Sequence, residues 1–226
     1  MRSRKRFMSL VAGGTLALAV PLCGAMLAQR MFPEARCQHL PLHSLLESMG
    51  GLIAIAIANI LIVERARREN NRHYPVMAAA LIPMGVLDLF QAGVEVGDNF
   101  IWLHSVGTCL GGVVFALVWY RTWLQKHGAR WMPSIALAAS VSLGTLSCLF
   151  APSVPTMIWD DQFTLASRLL NGIGGLGFLI ACGFFTRRFY LAGRYEDWLF
   201  LSCTLMLGTA AILFGLSTLW DATWWW

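Results

Sequence analysis

Residues 42–63 read LHSLLESMGGLIAIAIANILIV, and ERARRENNRH follows at 64–73. The first run is long enough to cross the apolar core of a bilayer, which takes about 20 residues of helix. One charge, Glu47, interrupts it, and an arginine-rich stretch closes it. An apolar run ended by a basic stop recurs along the chain, and that recurrence decides the fold class.

Six further stretches have the same character: roughly Phe7–Ala28, Tyr74–Val96, Phe100–Tyr120, Met132–Phe150, Leu165–Phe185 and Trp198–Leu219. With Leu42–Val63 they make seven predicted spans. Only 13% of the chain is charged and 57% is hydrophobic, whereas soluble domains carry roughly 25% charged residues. The net charge of +5 does not indicate nucleic acid, because the basic residues sit in short runs between apolar segments. Connections are short, and only Ala151–Thr164 has room for structure of its own. No soluble domain or internal repeat is evident. Residues 1–226 are therefore read as a single all-α domain, a polytopic helical bundle integral to a membrane.

The first stretch has two readings. MRSRKR, an apolar run and Ala25-Met26-Leu27-Ala28 resemble a signal peptide. The run is long for one and the cleavage site is poor, so a retained helix is favoured. Leu22 before Cys23 speaks against a lipoprotein cysteine.

Charge sets the expected orientation. Arg2, Arg4, Lys5, Arg6, Arg65, Arg67, Arg68, Arg72, Arg121, Lys126, Arg130, Arg187, Arg188 and Arg194 fall on one side, leaving only Arg30, Arg36 and Arg168 of the 17 basic residues on the other. Basic residues accumulate in cytoplasmic loops, which places the N-terminus in the cytoplasm. The opposite loops are acidic, with Glu34, Glu95, Asp98, Asp160 and Asp161. Trp102, Trp159 and Trp220 are expected at the outer interface, and Trp123, Trp131 and Trp198 at the inner one. An ending on Trp224-Trp225-Trp226 favours an eighth span and a cytoplasmic domain beyond; a C-terminal interfacial anchor is the alternative.

Ionisable residues inside spans are costly unless paired or used. His43 and Glu47 stand i and i+4, on one face of a helix whose first turn holds Pro41. His39 is expected at the lip of that face. Glu47 then lies roughly 10 Å below the outer surface at ~1.5 Å per residue. Asp88, Gln91 and Glu95 form a stripe climbing outward on the third span. His104 lies about one turn into the fourth, and Arg168 and Asn171 enter on the sixth at similar depth. His43, Glu47, Asp88, Gln91, His104 and Arg168 are thus the candidate ligand-binding residues. Imidazole with carboxylate suits a transition metal such as Zn²⁺, Cu²⁺, Fe or Ni²⁺, with His43, Glu47 and His104 as ligands and Asp88 as a fourth ligand or a support. A hydrogen-bonded network joining helices explains the same residues, and a proton relay or haem b between His43 and His104 is a third option. His73 and His127, among arginines, are expected to be solvated.

The cysteines form no CxxC; Cys37 falls in an outer loop, and Cys23, Cys109, Cys148, Cys182 and Cys203 inside spans are read as small apolar packers. Gly50-Gly51, Gly107, Gly111-Gly112, Gly172 and Gly174-Gly175 mark close helix approach. Packing within the chain is favoured, with a homodimer through Gly107 and Gly111 as the alternative.

HSLLESMGGLIAIAIANILI resembles the His-Ser/Thr-x-x-Glu helix of bacterial membrane-associated sensor (MASE-type) domains, in the branch that precedes sensor kinases and diguanylate cyclases. Leu87-Asp88-Leu89-Phe90-Gln91 and Asn99-Phe100-Ile101-Trp102 stand where that branch carries an Asp-Leu-Leu-His-like stretch and a helix opening on Asn and Trp. The similarity covers Leu40 to Val118. It departs at Gln91, where the family has histidine, and near Val106, where an arginine is expected; His104 stands nearby. The resemblance implies a multi-pass signal-input module of the bacterial inner membrane without catalytic activity, coupled in cis to a cytoplasmic kinase or cyclase output domain, as in two-component signalling. Other classes fit less well. A transporter or proton-coupled carrier lacks a repeat and ionisable residues near the bilayer centre or in the inner half that would complete a path. An intramembrane metal hydrolase would need histidines on the last three spans, which have none, and a retinal protein would need a lysine within a span.

Overall fold

The computed structural model describes residues 2–32, 36, 38–67, 73–120 and 129–221. Glu34, Cys37, Arg68, Arg72, Arg121, Trp123, Lys126, His127 and Trp224–Trp226, all used in the sequence argument, lie outside the described residues. Within them the chain is all-α apart from one small hairpin. The helices are α1 (Arg2–Met31), α2 (Leu40–Arg67), α3 (Tyr74–Ala92), α4 (Asp98–Ala116, continued by a 3₁₀ turn over Leu117–Tyr120), α5 (Met132–Leu149), α6 (Leu165–Ala192) and α7 (Tyr195–Leu216). Each contains a stretch long and apolar enough to cross a membrane, with mean hydropathies of 1.5 to 2.1.

The ends depart from expectation for local reasons. His39, expected at the lip of a polar face, instead caps α2: its Nδ1 accepts the backbone N–H of Leu42 at 3.1 Å. Helix α3 stops at Ala92, and the backbone N–H of Gly93 turns back to the carbonyl of Phe90. Glu95 therefore leaves the stripe begun by Asp88 and Gln91 and lies exposed in a turn. Helix α6 runs past Phe185 to Ala192 and is closed by Gly193 at φ 66°, a left-handed C-terminal cap that glycine adopts without strain.

Helix α3 is the hub. It packs against α2, α4 and α5, while α6 joins α4 to α7, and α1 leans on α7 and α6. Burial follows: 72% of the apolar window of α3 is buried, against 6% for α1. The main core gathers Ala58, Met77, Leu81, Phe115, Phe178, Phe185 and Leu201. Two seams allow backbones to touch. A Cβ on Gly51 would lie 2.7 Å from the carbonyl oxygen of Gly85, and one on Gly85 would lie 2.6 Å from that of Gly51. A Cβ on Gly112 would fall on the backbone of Gly174, and one on Gly177 on that of Gly112. Both seams lie within the chain. Gly50 and Gly172, expected among the packing glycines, do not pack: a Cβ there would meet nothing within 4 Å, because each faces away from its seam. Cys23, Cys148 and Cys203 likewise lie on the bundle surface instead of packing inside it.

The connection before α6 forms a hairpin of β1 (Ile158–Trp159) and β2 (Gln162–Phe163), with Ile158 opposite Phe163. Asp160 and Asp161 have φ of 48° and 61°, as a two-residue type I′ turn requires. The carboxylate of Asp98, at the start of α4, accepts the backbone N–H groups of Met157 (2.6 Å) and Ile158 (3.1 Å). The segment after α7 returns over this hairpin. Leu219 N–H donates to Asp161 O at 3.1 Å, and Arg36 donates to Leu219 O at 2.8 Å. Trp220, expected at a lipid interface, is only 7% exposed and joins Phe100, Ile101, Met157, Phe163 and Leu219 in a second core. The hairpin supplies the apolar surface that covers it. Trp159 and Trp131 are exposed, and Trp102 is half-buried with its indole N–H donated to Ser147 Oγ at 3.1 Å.

Candidate functional site

At the Trp220 end of the bundle, α2, α3 and α4 turn polar side chains toward one another. On α2, His43 Nε2 lies 3.3 Å from Glu47 Oε1 across one helical turn. The His43 ring is wedged between Phe100 (centroids 5.1 Å apart) and the edge of Trp220 (5.8 Å). On α3, Asp88 and Gln91 stand one turn apart on the face between α2 and α4. On α4, the His104 ring stacks on Phe214 of α7, with centroids 4.6 Å apart and an interplanar angle of 28°. Its Nδ1 is 4.0 Å from Asp88 Oδ1, too long for a hydrogen bond.

These side chains surround a cavity of about 210 Å³. His43, Glu47, Asp88, Gln91 and His104 form its polar wall. Met84, Thr108, Phe178 and the α7 residues Leu207, Ala210, Ala211, Leu213 and Phe214 complete the lining. Five of the six candidate ligand-binding residues thus meet in one place. The sixth does not: Arg168 is exposed on α6 and is not part of the lining. Asn171, expected at the same depth, is buried in the α4–α6 seam and donates to Ser105 Oγ (2.8 Å) and Ser167 O (2.9 Å).

Among the described residues the cavity wall therefore contains two carboxylates and two imidazoles but no lysine or arginine. Gln91 is 1% exposed, and its Oε1 has no hydrogen-bond partner among the described residues; His104 Nδ1 is also without one. Glu47, Asp88 and His104 each offer one ligand atom, and these three atoms lie within 4.8 Å of one another. This set differs from the expected His43, Glu47 and His104. Because α3 lies between α2 and α4, Asp88 takes the central position. His43, turned toward Phe100 and Trp220, stands behind Glu47. The volume falls below the roughly 300–1,000 Å³ of pockets for drug-sized ligands.

The opposite end holds a cluster the sequence reading missed. His73, expected to be solvated, is 1% exposed and packs edge-on to Tyr74 and Phe185. Arg188 Nε donates to Asp197 Oδ1 at 2.9 Å, and Arg188 Nη1 lies 3.1 Å from His73 Nδ1. Arg188 also lies over the Phe184 ring. The cluster ties the start of α3 to α6 and α7. The available signal was Asp197, an acidic residue in a first helical turn facing a chain rich in nearby arginines.

Comparison of the chain with protein-family models, with curated proteins and with solved structures returned no match.

Proposed function

We propose that this chain is the signal-input domain of a bacterial inner-membrane sensor, related to the MASE-type domains. In this reading the N-terminus is cytoplasmic, the cavity opens toward the periplasmic half of the membrane, and a kinase or cyclase output domain in cis receives the signal. The observation that carries it is the composition of the cavity wall. Polar groups from α2, α3 and α4 face a wall built largely by α7, so an occupant changes how α7 rests on the other three helices.

A ligand shifts a conformational equilibrium only through different affinities for its two states. Here the difference is the separation of the Asp88–His104 wall from Phe214 and Ala211. At the opposite end the ionisable side chains of His73, Arg188 and Asp197 are paired with one another and tie α3 to α6 and α7, which supports a receptor over a carrier, since a carrier needs a path through both leaflets.

The test is Glu47→Gln in the full-length protein in native membranes. Glutamine keeps the size and much of the hydrogen bonding while removing the charge. Output activity should change severalfold at unchanged abundance. Unchanged abundance with unchanged output would refute the reading. Loss of folded protein, with normal output from the remainder, would assign Glu47 to structure.

A further inference from the structure

We propose that Glu47, Asp88 and His104 form a binding site for one divalent first-row transition-metal ion. The site rests on geometry; the ion's role as the stimulus rests on the sensor reading above. Three potential ligand atoms arrive from three different helices and lie within 4.8 Å of one another. Atoms around a tetrahedral ion with bonds of ~2.1 Å stand ~3.4 Å apart. Atoms no more than 4.8 Å apart therefore need to close by at most ~1.4 Å, from 4.8 to ~3.4 Å, to hold one ion, and that closure draws on the helices that present them. That contraction is what the α7 wall, stacked on His104 through Phe214, would register.

Charge supports the same occupant. Two carboxylates, each about one-fifth exposed, face a cavity whose lining has no lysine or arginine. Two carboxyl groups this close stay ionised together only beside a cation, and a dication would serve both. The donor set narrows the class. Oxygen ligands alone suit Mg²⁺ or Ca²⁺, whereas an imidazole nitrogen among them favours Mn²⁺ through Zn²⁺.

Gln91 is an independent indication. Its Oε1 is unpartnered, its side chain is almost wholly buried, and it lines the same cavity. A water bound to the ion would supply the missing donor, and ~210 Å³ holds several waters of ~30 Å³ each. His43 fits as the positioning residue: its Nε2 lies 3.3 Å from the Glu47 carboxylate, and its ring is fixed by Phe100 and Trp220. Metal ligands are commonly held by such outer partners.

The experiment loads the purified full chain, in lipid nanodiscs, with Co²⁺. One Co²⁺ per chain should bind, with visible d–d absorption, and be displaced by Zn²⁺ but not by a hundredfold excess of Mg²⁺. Glu47→Gln, Asp88→Asn and His104→Gln should each weaken binding by at least about tenfold. Glu95→Gln, exposed beyond α3, should leave it unchanged. X-ray absorption of the loaded wild-type chain needs no variant and should show one imidazole among oxygen donors. Failure of the folded wild-type chain to bind Co²⁺ overturns the proposal. So does sulfur, or a second imidazole, in the coordination sphere. Binding without any change in output activity would remove the sensor reading and leave the site. An output effect of Glu47→Gln without metal binding would do the reverse.

Discussion

The ring of His43 lies edge-on to Trp220, with centroids 5.8 Å apart and planes at 78°. The two residues are 177 positions apart, counting from 43 to 220. The contact joins the first turns of α2 to the segment that follows α7, and so closes the polar end of the bundle with an apolar cover.

That cover should contribute measurably to stability. Truncating a buried tryptophan to alanine typically costs about 3–5 kcal/mol. Trp220→Ala should lower the thermal midpoint of the purified protein by several degrees, and Trp220→Phe, which keeps a ring against His43, by less. Equal midpoints for all three proteins would mean that the cover carries no load.

The glycine seams predict a contrast between near neighbours. Gly112→Ala places a methyl group on the backbone of Gly174, which has no side chain to move aside. Folded yield should fall sharply. Gly172→Ala enters open space, and alanine is the better helix former by about 1 kcal/mol. It should be neutral or stabilising in a thermal melt. Similar losses from both would contradict the α4–α6 packing.

The Arg188–Asp197 pair predicts strong coupling. Removing one member of a buried ion pair leaves the other uncompensated and costs about 3–5 kcal/mol. Arg188→Met and Asp197→Leu should each destabilise, and the double variant should recover part of the loss. Additive losses across the cycle would show that the two charges do not depend on each other.

Orientation is testable without a purified protein. The concentration of basic residues on one side predicts a cytoplasmic signal from reporter fusions after Arg68 and Arg130, and a periplasmic one after Asp160. A periplasmic signal at Arg68 would invert the placement of the cavity.

The seven helices were legible because spanning a bilayer demands a minimum apolar length, and that demand is written in consecutive residues. The meeting of Glu47, Asp88 and His104 was legible because each lies a similar distance into its segment. Helical azimuth was less so. Arg168 shares that depth but sits on the outward face of α6, and the sequence around it, with Ser167 and Asn171 turned inward and leucines on every side, does not reveal which face that is. His73 looked solvated beside Arg72, yet its partners, Arg188 and Asp197, come from the far side of the bundle. Trp220 looked interfacial because its cover, the Asp160–Asp161 hairpin, is a tertiary feature. The candidate triad takes Asp88 where His43 was expected for the same reason: the order α2–α3–α4 in space, not depth, chooses the central carboxylate.

The near-complete enclosure of α3 bears on how the protein is made. Synthesis runs from the N-terminus, so α3 emerges when only α1 and α2 can shelter it. Two of the three helices that surround it, α4 and α5, do not yet exist. Meanwhile Asp88 and Gln91 lack their final surroundings, in a segment whose hydropathy of 1.5 is below the 2.0 of α2. Membrane insertion in this order would make α3 lean on α2, through the Gly51–Gly85 contact, until α4 arrives with His104. A substitution at Gly51 or Gly85 should thus act first during biogenesis, as a topology or degradation defect, before it is felt as a weakness of the finished bundle.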